Sequence, residues 1–437
     1  MRFFYTTRMT IQELYPIFKK FPKAITDSRK VQQGSIFFAL QGEHFNGNRF
    51  AAEALKQGAE YAIVDDQAYC LSKKTILVDN VLETLQQLAA FHRKKLKIPV
   101  LGITGSNGKT TTKELVSAVL SQKYQVTSTQ GNLNNHIGVP LTILSMNKDT
   151  TFGVVEMGAN HPGEIAPLCS IADPDYGIIT NIGRAHLEGF GSVEAIIRTK
   201  AELYDHLKKK NGTVFYNRDN PILSGLITGI SNTISYGQKD ADLTGRPVVS
   251  PPYIHAKVNY PKGVLYLNSR LTGSYNFENI MAAACIGQSF DVDPLLVQQA
   301  ISNYRPSNSR SQLIDKNNKK IIIDTYNANT TSMNGSIESF SAFSYHPKYL
   351  ILGDMLELGA ESLHEHTAVV EQIKKHPFTE VFLVGPFFEE AAQNSRFKCF
   401  STTKSLCIYL DENPLSKGAV LIKGSRGIQL EKVLETL

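Results

Sequence analysis

The sequence predicts an α/β protein of three successive units, each built on a mainly parallel sheet. Three observations carry this expectation. Short apolar runs alternate with amphipathic stretches along most of the chain, the pattern of strand–helix–strand crossovers. The runs end in clusters of Gly, Asn, Asp and Ser, and ligands of open parallel sheets lie beyond the carboxyl ends of strands. A chain of 437 residues is also too long for one hydrophobic core and asks for two to four domains.

Composition narrows the function classes. A hydrophobic content of 42% with 20% charged residues is that of a globular protein. Lys+Arg exceeds Asp+Glu by 46 − 40 = +6, which suits an anionic substrate, yet no basic run is dense enough for nucleic acid. The five cysteines are scattered, odd in number and lack a Cys-x-x-Cys, which predicts free thiols in a reducing compartment. The N-terminus carries Arg2 and Arg8 without an apolar segment behind them, and no stretch has the length needed to span a bilayer. A cytoplasmic protein with no membrane insertion is expected.

Residues 1–97 read as a small first unit. Thr26-Asp27-Ser28-Arg29 forms a turn before the strand Gly34–Leu40, and Gln41–Asn48 is a polar loop that includes Phe45, Asn46, Gly47 and Asn48. A helix over Phe50–Gln57, a strand over Tyr61–Val64 and a helix over Thr84–Lys95 follow, with Pro99 near the boundary. Ser28-Arg29 beside a glycine loop suits a phosphate gripped by a planar guanidinium, and equally an ordinary surface turn with a salt bridge.

Residues 98–305 form the central unit, and Ile98–Leu115 is the stretch that orders it. Val100–Ile103 reads as a buried strand, Thr104-Gly105-Ser106-Asn107-Gly108 as a tight loop, and Lys109–Gln122 as a helix. Strand, glycine loop and a helix opening Lys109-Thr110-Thr111 hold a nucleotide triphosphate: free N–H groups and the helix dipole meet the phosphates. Lys109 reaches the β/γ oxygens and the Thr110 hydroxyl binds Mg²⁺. The strict pattern wants glycine where Ile103 stands, so Gly102, Gly105 and Gly108 define a compact variant.

Further along, Gln130–Pro140 is rich in amides, Asn134 and Asn135 among them, a composition suited to a loop facing substrate. Strands over Thr151–Glu156 and Tyr176–Thr180 end in Glu156-Met157-Gly158-Ala159-Asn160 and Asn181-Ile182-Gly183-Arg184-Ala185-His186. Glu156 is either a natural Mg²⁺ ligand or an ordinary strand-end acid. His186 is a weaker candidate, since nitrogen is an unusual ligand for so hard a cation. The helix Val193–Lys208 carries Lys200, on pattern alone a solvated lysine. After an irregular β-rich stretch through Leu271, a helix runs over Ile280–Gln288, and Asn276 and Asn279 at its start either cap it or contact a base.

Residues 306–437 alternate strand and helix again, as in a small dinucleotide-type fold without its glycine fingerprint. The predicted strands end in Asp324-Thr325-Tyr326-Asn327-Ala328-Asn329, in Gly353-Asp354-Met355-Leu356-Glu357-Leu358-Gly359, at Gly385, and in Lys423-Gly424-Ser425-Arg426. A ligand cleft at that edge follows. His364 and His366 read as surface residues.

These motifs resemble those of the Mur ligases, which add amino acids to the UDP-muramoyl precursor of peptidoglycan. The resemblance rests on Thr104–Thr111, Glu156–Asn160, Asn181–His186 and the Asn276/Asn279 pair. Within the family, Gly131–Pro140, Asp324–Asn329, Leu352–Gly359 and Lys423–Arg426 resemble the members that add D-Ala-D-Ala, and the likeness spans all three units in order.

The resemblance implies a UDP-binding first unit, a central ATPase of the P-loop type and a Rossmann-like third unit. It implies an ATP-dependent ligase that joins UDP-MurNAc-tripeptide to D-Ala-D-Ala through an acyl phosphate, with ATP and Mg²⁺ as cofactors. Thr104, Gly105, Ser106, Asn107, Gly108, Lys109, Thr110 and Thr111 would hold the phosphates. Thr110, Glu156 and His186 would form the metal shell, joined by Lys200 as a carbamylated lysine. Asn276 and Asn279 would meet the adenine region, and Arg310 and Asp324 would approach ATP from the third unit. Ser309 replaces the family's usual glycine before that arginine. Asp27, Ser28, Arg29 and the Phe45–Asn48 loop would hold the UDP end, Asn134 and Asn135 the muramoyl peptide, and Tyr326, Asn327 and Asn329 the dipeptide.

A monomer is expected, opening when empty about hinges near Asn303–Pro306. The rival readings are a sister ligase that adds the third residue, a folylpolyglutamate-synthase-like ligase, and a nucleotide-binding scaffold without chemistry. The first unit and the Asn327-Ala328-Asn329 segment favour the dipeptide adder.

Overall fold

The structure is a computed structural model and describes residues 8–306 and 309–437. Arg2, and Ser307 and Asn308 in the run before Arg310, lie outside the described residues.

The first unit is a four-stranded parallel sheet in the order Ala24–Ile25, Ser35–Phe38, Ala59–Val64, Thr75–Leu77. The helix Ile11–Lys20, which the sequence reading passed over, opens with a capping box between Thr10 and Glu13 and buries Leu14 and Phe18. The helix Val81–Lys95 begins three residues before its expected start, because Asn80 caps it through Glu83 N. Its apolar face joins a core that continues into the central unit, where Leu85 and Leu88 share a cluster with Val139 and Ile143. The first two units therefore meet across one hydrophobic surface.

The central sheet has nine strands, in the order Gly263–Thr272, Tyr253–Tyr260, Leu243–Ser250, Thr233–Gly237, Thr213–Asn217, Tyr176–Ile179, Val100–Thr104, Phe152–Glu156, Val126–Ser128. Pairing is parallel from Val126–Ser128 as far as Leu243–Ser250, and two antiparallel strands close the far edge. The irregular β-rich stretch is thus an extension of this sheet. Val100–Thr104 lies between two parallel neighbours and is buried at all five positions, the signature of a strand covered on both faces.

The third unit is a six-stranded sheet in the order Gln312–Lys316, Lys319–Asp324, Gly418–Lys423, Lys348–Gly353, Glu380–Val384, Lys398–Phe400, parallel except for the first pair. Two apolar clusters flank it, one with Leu350, Leu352 and Leu421 and the other with Ile351, Val420 and Ile422. Among the described residues no helix is long and apolar enough to cross a membrane.

Candidate active site

The strand Val100–Thr104 delivers the chain to Gly105, whose φ of +147° belongs to glycine; a Cβ there would stand 1.9 Å from Thr180 Oγ1. Gly108, at φ +77°, then starts the helix Lys109–Leu120. The end of the neighbouring strand braces the loop. Thr180 Oγ1 donates to Asn107 O at 2.6 Å, Asn181 Oδ1 accepts from Asn107 N at 2.9 Å, and Ser106 Oγ donates to Gly183 O at 3.0 Å. The loop is therefore held in shape before any phosphate arrives. Thr104 is fully buried below it, so Thr104 and Gly105 support the loop, while Ser106 through Thr111 line a cleft of about 880 Å³ between the central and third units.

Lys109 Nζ donates to Gly105 O at 2.7 Å and Ser106 O at 3.2 Å. Burial pulls its pKa down and the positive Arg310 adds to this, against the pull of Glu156. Glu156 is 1% exposed at its strand end. One of its oxygens accepts from Thr110 Oγ1 at 3.2 Å and Asn134 Nδ2 at 2.8 Å. The other is buried without a hydrogen-bond partner among the described residues. The strand-end acid and the loop threonine are thus brought together as expected.

Lys200 corrects its reading as a solvated side chain: it is 2% exposed. Among the described residues no carboxylate lies within ion-pair range of it, and its Nζ sits 5.8 Å from the Phe190 ring centroid. Burial, and then repulsion from Lys109, push its pKa well below the usual lysine value. His186 Nδ1 lies against the carboxylate of Glu357, a residue of the third unit, but is buried without a hydrogen-bond partner among the described residues.

Asn276 and Asn279 lie inside the first turn of the helix Asn276–Ser289, so neither is its cap. They form a chain instead: Thr112 Oγ1 donates to Asn279 Oδ1, Asn279 Nδ2 to Asn276 Oδ1, and Asn276 Nδ2 to Thr272 O, at 3.0, 2.7 and 2.7 Å. Both line the cleft while tying the two helices together.

From the third unit, the Arg310 guanidinium stacks 3.6 Å from the centre of the Tyr326 ring, and its buried Nε has no hydrogen-bond partner among the described residues. Asp324 is paired with the buried Lys423. Asn327 is exposed on the cleft, whereas Asn329 Nδ2 donates to Asn107 Oδ1 at 2.8 Å and so faces the phosphate loop. Arg184 reaches the buried Glu365 at 2.7 Å. These pairs hold the third unit against the central one, an arrangement different from the open form expected.

The first-unit candidates lie apart from the cleft lining. Asp27 and Arg29 form a bidentate pair at 2.9 Å on a single turn that also contains Ser28, and the Arg29 side chain is 88% exposed. Phe45 is exposed and stacks on Phe50 with centroids 5.7 Å apart. Gly47 and Asn48 depart from a loop reading. Both are buried, and Asn48 holds Asp65 through Nδ2 at 2.8 Å while Asn46 caps it. Asn135 is spent on Ile137 N and Gly138 N at the start of the helix Gly138–Ser145, which replaces part of the predicted loop.

Several residues escaped the sequence reading. Lys113, 3% exposed, donates to Thr129 O at 2.9 Å, and the Thr129 hydroxyl accepts from Glu156 N. A lysine on the buried face of a helix was the available signal. His366 corrects a second surface reading: it is fully buried, accepts from Met355 N at 3.0 Å and pairs with Ser362 O at 2.7 Å.

Comparison with known proteins fits this geometry. The chain matches the Mur ligase family, catalytic domain, over residues 25–93, the Mur ligase middle domain over 103–287, and the Mur ligase, glutamate ligase domain, over 309–426. It is 35% identical to the UDP-N-acetylmuramoyl-tripeptide–D-alanyl-D-alanine ligase of Bacillus subtilis, covering 94% of this chain and 92% of that one. A crystal structure of MurF from Acinetobacter baumannii superposes with a TM-score of 0.88 at 28% identity over 98% of both chains. The MurF ligase of Thermotoga maritima in complex with ADP does so at 0.83, with 30% identity over 95% of this chain and 96% of that one. This chain belongs to the Mur ligase family, in the branch whose members carry the name UDP-N-acetylmuramoyl-tripeptide–D-alanyl-D-alanine ligase.

Proposed function

We propose that the chain is an ATP-dependent carboxylate–amine ligase that joins D-Ala-D-Ala to UDP-MurNAc-tripeptide, giving UDP-MurNAc-pentapeptide, ADP and phosphate. The observation that carries this is the braced loop Ser106–Thr111, with Lys109 and the Thr110–Glu156 pair at one end of a cleft whose other wall is the third unit. We place the unit boundaries at 1–97, 98–305 and 306–437, and the reaction in the cytoplasm, where free thiols such as the five cysteines persist.

A carboxylate is a poor electrophile, so its oxygen first takes the γ-phosphoryl group of ATP. The tripeptide becomes an acyl phosphate and ADP leaves. The dipeptide amine then attacks the acyl carbon, loses a proton, and expels phosphate. No covalent bond to the chain is needed, so the residues act by positioning and by charge. Lys109 and the loop N–H groups cradle the phosphates, and Arg310, braced on Tyr326, brings a second positive charge from the third unit. Tyr326 and Asn327 line the cleft and would meet the dipeptide, and Asn134 and Asn135, also in its lining, would meet the muramoyl peptide. The Arg29 turn and the Phe45–Phe50 stack would take the UDP end.

The donor set fits Mg²⁺: Thr110 and Glu156 offer oxygens, and the unpartnered Glu156 oxygen is what a hard cation would satisfy. When bound, the ion would neutralise charge gathering on the phosphates. Burial favours the neutral amine of Lys200, the form that takes up carbon dioxide as a carbamate and so turns a repelling cation into an anionic oxygen donor.

The test is phosphate release from ATP with UDP-MurNAc-tripeptide, with and without D-Ala-D-Ala. Sustained release only with the dipeptide supports the reading; turnover with a single amino acid overturns it.

A further inference from the structure

Arg310 is carried on a strap whose shape its surroundings enforce. Ser309 and Ser311 on either side of it both have positive φ, +55° and +47°, a region that side chains other than glycine rarely adopt. Towards the third unit, Ser309 O accepts from Thr325 N at 3.0 Å and the guanidinium stacks on Tyr326. Towards the central unit, Ser311 O accepts from Thr272 Oγ1 at 3.2 Å, and the Ser311 hydroxyl lies 2.8 Å from the Tyr275 hydroxyl. Tyr275 has no part in the reaction as derived so far, yet its ring is seated between two glycines, one from each unit. A Cβ on Gly273 would stand 2.4 Å from the ring, and one on Gly335 of the third unit 3.2 Å from it. Burial, and then the charge of Asp324, push the Tyr275 pKa up, so the phenol stays protonated.

We propose that Tyr275 is a positioning residue for the phosphoryl-transfer step: its hydroxyl holds Ser311 and thereby fixes the Arg310 guanidinium in the phosphate cleft. The inference rests on the ligase reading above. Tyr275, Arg310 and Ser311 all line the cleft. The buried Arg310 Nε has no hydrogen-bond partner among the described residues, so the direction of the side chain is set by the Tyr326 ring and by the strap that carries it. The strap also lies at the end of the asparagine chain that starts on the phosphate-loop helix: Thr112 bonds Asn279, Asn279 bonds Asn276, and Asn276 Nδ2 stands 3.5 Å from Ser311 Oγ. One row of side chains thus joins the helix beneath the phosphates to the arginine that meets them from the opposite wall. A reaction driven by the placement of charge loses rate when that charge is displaced.

The test is a double-mutant cycle on the full-length protein. Tyr275→Phe keeps the ring in its seat and removes only the hydroxyl. It should lower kcat about 10-fold with KM for ATP little changed. In an Arg310→Ala background the same substitution should change the residual kcat by less than about twofold, since the group it positions is gone. Additive losses would overturn the proposal and make Asp324 the group the hydroxyl serves; an unchanged kcat in Tyr275→Phe would overturn it as well. A readout independent of turnover is proton exchange at the Arg310 Nε–H, assigned in nitrogen NMR spectra by its loss in Arg310→Lys. Exchange should be slow in the wild type and about 10-fold faster in Tyr275→Phe, and equal rates would count against the proposal. Absence of ligase activity in the wild type would sink the functional reading, while the exchange comparison would still decide whether Tyr275 holds Arg310.

Discussion

Asn329 of the third unit donates to Asn107 of the phosphate loop at 2.8 Å, while its Oδ1 caps the helix Thr330–Ser341 through Ser332 N at 2.9 Å. One side chain thus starts a helix and touches the nucleotide loop. Asn329→Ala should lose about 1 kcal/mol as a cap and raise KM for ATP severalfold. Thermal unfolding reads the first effect and steady-state kinetics the second. Asn329→Ser, which still caps, should regain stability without the loop contact.

Lys109→Ala removes the cation bonded to the carbonyls of Gly105 and Ser106 in the loop. Loss of a charge aimed at the transferring phosphoryl group is expected to cost about 100- to 1000-fold in kcat, with the fold intact. Glu156→Gln should leave ATP binding without Mg²⁺ nearly unchanged but abolish its strengthening by Mg²⁺, read by calorimetry.

Gly105→Ala places a methyl group on Thr180 Oγ1 at a backbone angle alanine resists. Destabilisation of about 3 kcal/mol is expected, by overpacking and strain together. Thr180→Ser leaves the clashing oxygen in place, so the double variant should not recover; recovery in urea unfolding would contradict the geometry.

Glu365 is buried, with Thr330 of its own unit as one partner and the half-exposed Arg184 as its partner across the seam. Arg184→Ala should loosen the seating of the third unit at a cost of about 1–2 kcal/mol, discounted because the arginine keeps its water. A larger radius of gyration in solution scattering is the expected outcome.

His366 gives the stability a pH dependence. Burial holds its pKa down to about 4, against 6.5 for an open imidazole. Between these values the unfolded chain binds the proton and the folded chain does not. Stability therefore rises with pH through that window and is lost as pH falls from 6.5 towards 4. The shift of about 2.5 units corresponds to about 3 kcal/mol. Asp354 and Glu365 face the same ring neighbourhood, and burial raises the Asp354 pKa, which softens the loss at the acid end. Denaturant unfolding at pH 5 and 7.5 should show the slope, and His366→Gln should flatten it.

The strands were legible because their apolar runs are continuous and bounded. Val100–Thr104, Phe152–Glu156 and Tyr176–Ile179 fall within a residue of their expected ends, and with them the positions of Lys109 and Glu156. Burial of polar residues was not legible. Lys200, Lys113, His366 and Asn48 look like surface residues in one dimension, and only packing against distant segments shows otherwise. Pairings between units, such as His186 with Glu357 and Arg184 with Glu365, join residues 171 and 181 positions apart and leave no periodic trace. Ile11–Lys20 was missed because Pro16 interrupts its pattern, although the capping box at Thr10 was readable.

The phosphate-loop helix has a second attachment besides the strand that feeds it. Tyr304, at the junction into the third unit, donates its hydroxyl to Glu114 of that helix at 2.6 Å. A hinge at this junction, if the chain bends there, would be tied directly to the phosphate cradle. If the third unit swings, it turns about a point fixed to the cradle, and the nucleotide stays with the central unit. What the swing exposes is then the γ-phosphate side, where acceptor and amine must meet.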